Sequence, residues 1–185
     1  ILNSFMHNKL PRIYYFINKF DKKHINSLKP NIALIYRNYD NKLDKNLILK
    51  IKKYCKNNNR KFFLANNYKI ALKLNLDGVY LPSFNKDLDH LNYPKKRGFF
   101  VLGSAHNVEE IRVKTSQKVD ALFLASLFNK KKTFLGFNRF KILLKYTKSK
   151  VIALGGINKK NLKKISLLNV YGYAAISFFE QKKSP

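Results

Sequence analysis

The sequence predicts one α/β domain, a compact (β/α)8 TIM-type barrel with shortened helices, and three observations lead there. Eight apolar, β-prone runs recur along the chain. Most are continuous in hydrophobicity rather than alternating, as expected of parallel strands covered on both faces. Amphipathic segments separate them. Eight βα units are the number that closes such a barrel, although 185 residues falls short of the usual ~250 and leaves room only for lean connections. A doubly wound open sheet is the structural alternative for the same alternation.

In chain order the strands are "RIYYFI" (12–17), "NIALIYR" (31–37), "KFFLA" (61–65), "GVYL" (78–81), "GFFVLG" (98–103), "DALFLA" (120–125), "KVIALG" (150–155) and "GYAAIS" (172–177). Helical character lies at 42–56, 107–117, 137–147 and 159–168, and Asn107, three residues before Glu110, is a capping-box candidate. Pro94 breaks the fourth crossover, 84–97, which predicts at most a short helix there. Asp77-Gly78 reads as a structural turn into the fourth strand. The barrel is expected over 12–179, with an N-terminal extension at 1–11 and a tail at 180–185.

Composition narrows the function classes. The net charge of +28 raises nucleic-acid binding, because basic patches attract polyanions. The charge comes from 32 lysines against 6 arginines, scattered through the chain. Phosphate and base readers favour the rigid arginine fork, so a solvated lysine surface is the preferred reading and nucleic acid the competing one. The longest apolar run, 121–128, is far short of the ~18 residues of a membrane span. "ILNSFMHNKLPR" lacks the apolar core of a signal peptide, so a cytoplasmic protein is expected. Cys55 reads as a half-buried helix residue, and His7, His24 and His90 have no zinc-ligand spacing.

The segment "VIALGGINKKNLKK" places Gly155 and Gly156 at the C-terminal end of the seventh strand, with Ile176 and Ser177 at the end of the eighth. Those ends build the usual phosphate site of a barrel. Glycine lets peptide N–H groups approach phosphate oxygens, Ser177 adds a hydroxyl donor, and a following helix N-terminus would add a dipole. The plainer alternative is a pair of glycines that only turns a strand into a helix.

Several segments in order carry a family resemblance. "VIALGGINKKNLKKISLLNVYGYAAIS" resembles the V-x-A-I-G-G-I to G-A-x-G-V-A-V-I-S stretch of the thiamine phosphate synthase/TenI (thiazole tautomerase) superfamily. "LANNYKIALKLNLDGVYLP", "GSAHNVEEI" and "VDALFLASLF" resemble its L-I-N-D…D-G-V-H-L-G, G-x-S-x-H-s-x-E-E and A-D-Y-I-x-x-G-P-I-F segments. The similarity runs collinearly from about 12 to 179 and implies a (β/α)8 barrel of thiamine biosynthesis. The synthase joins a pyrimidine-methyl diphosphate to a thiazole phosphate and releases pyrophosphate, whereas TenI aromatises a thiazole carboxylate phosphate through proton shifts.

Carried over by position, Gly156, Ile176 and Ser177 match the thiazole-phosphate site. Arg37, Asn66 and Ser104 match residues on the pyrophosphate side, and His106 matches the histidine that the tautomerase uses for proton transfer. Lys131 or Lys132 stands in for a charged loop after the sixth strand. The departures are as informative. Ile35 and Tyr39 replace the glutamine and lysine of Q-L-R-x-K, while Tyr80, Pro82 and Ser83 remodel the fourth-strand rim. Asn67 and Asn85 stand where the synthase has its Mg²⁺ aspartates, and Asp87 or Asp89 could substitute only if the loop shifted. Neutral amides are poor ligands for this hard cation. The resemblance therefore implies synthase chemistry with Mg²⁺, while these residues lean toward impaired synthesis, a TenI-like tautomerase or a catalytically silent binder. A homo-oligomer is left open.

Overall fold

Eight parallel strands close in chain order: β1 (Ile13–Ile17), β2 (Ile32–Tyr36), β3 (Phe62–Ala65), β4 (Gly78–Leu81), β5 (Phe100–Ala105), β6 (Ala121–Leu124), β7 (Lys150–Leu154) and β8 (Gly172–Ala175). Strand β8 returns to β1 with Tyr173 opposite Ile13, which excludes the open-sheet alternative. The computed structural model describes residues 9–39, 43–130 and 132–180. Among these are α1 (Lys22–Asn26), α2 (Lys45–Asn57), α3 (Tyr68–Lys73), α4 (Val108–Ser116), α5 (Gly136–Leu144) and α6 (Leu162–Ile165). The β4–β5 crossover carries only a 3-10 turn, Asp89–Asn92, in keeping with Pro94. None of the described helices is long and apolar enough to cross a membrane.

Strand residues alternate between two cores, although their hydrophobicity does not alternate. Tyr15, Ile17, Leu34 and Leu64 pack outward beneath the helices, whereas Tyr14, Phe16, Ile35, Phe63, Tyr80 and Phe123 fill the barrel. The interior aromatic rings meet edge to face, with Tyr14–Phe123, Phe16–Tyr80 and Tyr80–Phe123 centroids 4.9, 5.1 and 5.4 Å apart. That geometry favours the ring quadrupoles and leaves a packed plug rather than a pore.

Short polar side chains start the helices. Asp44 accepts from the Asn46 and Leu47 amides, Asn67 from Ile70, and Asn107 from Glu110. Each satisfies an amide that the first helical turn leaves unpaired. On the N-terminal face, buried Arg60 donates to the Ile32, Lys29 and Leu28 carbonyls at 2.6, 2.9 and 3.1 Å, closing the short α1–β2 connection. Asp77 accepts from Lys61 Nζ at 2.6 Å and from the Phe62 amide at 3.0 Å, so it ties β3 to β4 as the turn reading expects. Cys55 is fully buried rather than half-buried, and burial pushes its thiol up to about 12, away from nucleophilic use.

Several boundaries differ from expectation, two of them with a visible cause. Strand β5 runs 100–105 instead of 98–103, because Gly98 turns with φ 79° and the Phe99 amide closes that turn on the Lys96 carbonyl. Helix α6 is a single turn instead of 159–168. Asn158 accepts from the Lys160 and Asn161 amides, and Asn161 accepts from the Asn158 amide, so the two asparagines hold "NKKN" in side-chain turns.

Candidate functional site

The C-terminal strand ends form the rim on which the sequence-derived candidates fall. At β7, Gly155 and Gly156 have φ of 104° and 71°, a region in which an L side chain is strained. Their bareness also answers a packing need. A Cβ on Gly156 would lie 2.7 Å from the Asn129 amide nitrogen and 2.9 Å from the Phe128 carbonyl carbon. One on Gly155 would meet the Ser126 side chain. The loop after β6 sits there, with the Leu127 and Phe128 amides donating to the Leu154 and Gly155 carbonyls at 2.9 Å. Ser126 is buried and donates to the Asn129 carbonyl at 3.0 Å, fixing the loop from within.

The Gly156 carbonyl accepts from Asn161 Nδ2 at 2.8 Å, while its amide donates to no backbone carbonyl among the described residues. The expected helix dipole behind the glycines is not provided, because the one-turn α6 has too few aligned peptides. Ser177 lies exposed in the turn after β8, where the Ile176 carbonyl accepts from the Phe179 and Glu180 amides. Lys132, in the β6 loop, is exposed, and Lys131 lies outside the described residues.

Among the described residues, cavities open on the rim at two places. The larger, about 480 Å³, lies among the ends of β1, β2 and β8 and brings Arg37 together with Ile176, beside Phe16, Asn18, His24 and Glu180. Arg37 places its guanidinium over the Phe16 ring, 5.2 Å from the centroid, which orients a cation at the mouth of an aromatic barrel. His24 bonds the Tyr15 hydroxyl at 3.2 Å on the same wall, a pairing that sequence spacing did not reveal.

The second cavity, about 220 Å³, gathers Asn66, Asn67, Asn85, Asp87 and Asp89 between the β3 and β4 ends. A divalent cation can be tested here against the donor atoms. Asn67 uses its side-chain oxygen to cap α3. Asn85 donates through Nδ2 to Asn66 Oδ1 at 2.7 Å and accepts at Oδ1 from Gln117 Nε2 at 3.0 Å. Asp87 Oδ1 accepts from the Asp89 amide at 2.8 Å. The described residues contain no group of three or more His, Cys, Asp or Glu able to hold a metal. At the two expected ligand positions, Asn67 and Asn85 present neutral amide oxygens already engaged in the protein, poor ligands for Mg²⁺, while Asp87 and Asp89 are the carboxylates that line the same cavity. Asn66 takes φ 57°, a backbone geometry asparagine tolerates better than most residues.

At the β5 end, Ser104 is buried and hydrogen-bonds Tyr80; burial pushes the Tyr80 phenol up to about 12, with Ser104 and Arg37 opposing. His106 Nδ1 lies 2.8 Å from Glu110 Oε2, and the same oxygen accepts from the His106 amide at 2.7 Å. Glu110 thus reaches back one residue before the cap, a variant of the expected capping box, and fixes the imidazole ring. Orientation by a carboxylate on Nδ1 leaves Nε2 as the atom able to exchange a proton with a ligand.

Lys114 and Gln117, behind the second cavity, were not singled out by sequence reasoning. The available signal was spacing: Lys114 follows Ile111 by three residues, on the buried side of α4.

A family model described as thiamine monophosphate synthase matches residues 29–179. The thiamine-phosphate synthase of Methanococcus vannielii is 29% identical over 136 residues, covering 69% of this chain and 64% of that protein. That of Prochlorococcus marinus is 29% identical over 168 residues, 86% of this chain and 48% of its own. The chain therefore spans less than two thirds of these relatives' length. The solved structure of thiamine phosphate pyrophosphorylase from Pyrococcus furiosus superposes with a TM-score of 0.69 at 20% identity, over 93% of this chain and 88% of that one, a likeness of fold.

Proposed function

Since the chain belongs to the thiamine monophosphate synthase family, we propose that its rim binds a thiazole phosphate and a pyrimidine-methyl diphosphate, and couples them with release of pyrophosphate at a lowered rate. The observation that carries this reading is the Gly155–Gly156 turn, left-handed and seated on the β6 loop, at the strand end next to the one that carries Ile176 and Ser177. In this reading the Gly156 amide and the Ser177 hydroxyl donate to the thiazole phosphate, as charge-assisted bonds that position it. Arg37, steadied on Phe16, faces the developing negative charge. A C–N bond forms as the C–O bond to the diphosphate breaks, and pyrophosphate leaves with the electron pair. Asn67 and Asn85, amides at the two ligand positions, would hold Mg²⁺ poorly for that departure, which is the reason for the lowered rate in this reading. The chemistry points to a place in thiamine biosynthesis for the chain.

A second reading, a TenI-like proton transfer on a thiazole carboxylate phosphate, is favoured by the His106–Glu110 pair. One assay series addresses both. Pyrophosphate release is followed with both substrates, and proton exchange with the thiazole carboxylate phosphate alone, for the native chain and His106→Gln. Coupling with at most a few-fold change in the variant is expected. If the second reading holds, proton exchange falls by about a hundredfold or more, the scale of a lost general acid–base group. Absence of pyrophosphate release by the native chain would remove the first reading; unchanged proton exchange in His106→Gln would remove the second.

A further inference from the structure

The side chain of Lys114 is wholly buried, yet it carries an ammonium. It crosses from α4 over β5 in a channel that Gly103 leaves open, since a Cβ there would lie 2.8 Å from Lys114 Cδ. Its Nζ donates to the Pro82 carbonyl at 2.7 Å, the Asn85 carbonyl at 2.7 Å and Gln117 Oε1 at 2.8 Å. Three donors thus meet three oxygens, the full capacity of an ammonium. Gln117, also buried, turns its amide to the Asn85 side chain and to the Asp87 carbonyl at 2.7 Å. Its own carbonyl meets His90 Nε2 at 2.8 Å. Asn85 passes the constraint on to Asn66 across the cavity mouth. Burial pushes the ammonium down to about 8, with Glu110 opposing, so the charged form still predominates at pH 7.

A buried charge is costly unless every donor is used. Here each donor is spent on the loop between β4 and the 3-10 turn, or on the glutamine that holds it. We propose that Lys114 is a positioning residue whose ammonium, together with Gln117, fixes loop 82–90 as the wall of the Asn66–Asn85 cavity, and so sets affinity for the diphosphate end of a substrate. This rests on the proposed function above and on the resemblance that sets Asn66 on its pyrophosphate side. Lys114 reaches the cavity only through the loop, so its effect is on placement.

The test uses Lys114→Met, which keeps an apolar stem in the channel and removes the donors, and Gln117→Leu, which leaves the two backbone acceptors of the ammonium in place. At pH 7, hydrogen exchange is followed at the Asn85, Asp87 and Asp89 amides, each bonded within the loop. Pyrophosphate and thiazole phosphate affinities are measured beside it. The expected result is exchange about tenfold faster or more at these amides, with β5 and β6 unchanged, and pyrophosphate affinity about tenfold weaker, the scale set by lost bonds to a charged donor. Thiazole phosphate affinity should stay within a few-fold of native. Native exchange rates in the loop of a folded variant would overturn the proposal, as would a parallel fall in both affinities. If Lys114→Met does not fold, Gln117→Leu decides by the same readings. Failure of the native chain to bind pyrophosphate would instead remove the rim reading, while exchange still reports on whether Lys114 fixes the loop.

Discussion

Replacing Gly156 with alanine is expected to weaken thiazole phosphate binding by about tenfold or more, equivalent to ~1.4 kcal/mol. Two causes act together. At φ 71° an alanine is strained, a cost of roughly 1–3 kcal/mol for a non-glycine residue in the left-handed region. Its Cβ also lies within 2.9 Å of the backbone of Phe128 and Asn129, so the strand end or the β6 loop has to move and the Gly156 amide turns away from the phosphate. The strands beneath are separate from this contact, and the variant should keep the circular dichroism of the native barrel. Calorimetric titration with thiazole phosphate checks it. Native affinity in a folded Gly156→Ala would remove this turn from the phosphate site.

Restoring carboxylates is expected to produce the other large change. Aspartate caps a helix as well as asparagine does, so Asn67→Asp should leave α3 intact. Asn85→Asp gives up the Nδ2 bond to Asn66 and frees an anionic oxygen toward the cavity. The double variant should bind Mg²⁺ about tenfold more tightly than the native chain and show a Mg²⁺-dependent rise in pyrophosphate release, because hard cations favour carboxylate over amide oxygen. Coupling by the native chain should respond little to Mg²⁺. Strong Mg²⁺ dependence in the unmodified protein would mean that Asp87 and Asp89 supply the ligands from a rearranged loop.

The sequence made the barrel legible because each strand is covered on both faces and writes that burial as an unbroken apolar run. It was less clear where side chains intervene in the backbone. Asn158 and Asn161 shorten α6 by competing for its first amides, and a lysine-rich amphipathic stretch does not disclose that competition. Glycines 155 and 156 were legible as positions needing bare backbone, but the β6 loop that occupies the missing Cβ volume is 26 or more residues away in the chain. Lys114 was hidden for a different reason. A lysine on a basic chain reads as solvated surface, and only the positions of Gly103, Pro82, Asn85 and Gln117 in space show that it is buried and fully bonded.

In the proposed function, the β7–β8 end of the rim grips a phosphorylated thiazole without help from a divalent cation. The measurement that bears on it most directly is a calorimetric titration of the native chain with thiazole phosphate, with and without Mg²⁺ and with and without the pyrimidine diphosphate. Saturable one-to-one binding is predicted, in the range of about 1 μM to 1 mM usual for enzyme substrates, competed by inorganic phosphate and little altered by Mg²⁺. No saturable binding, or binding that appears only when Mg²⁺ is present, would contradict the account.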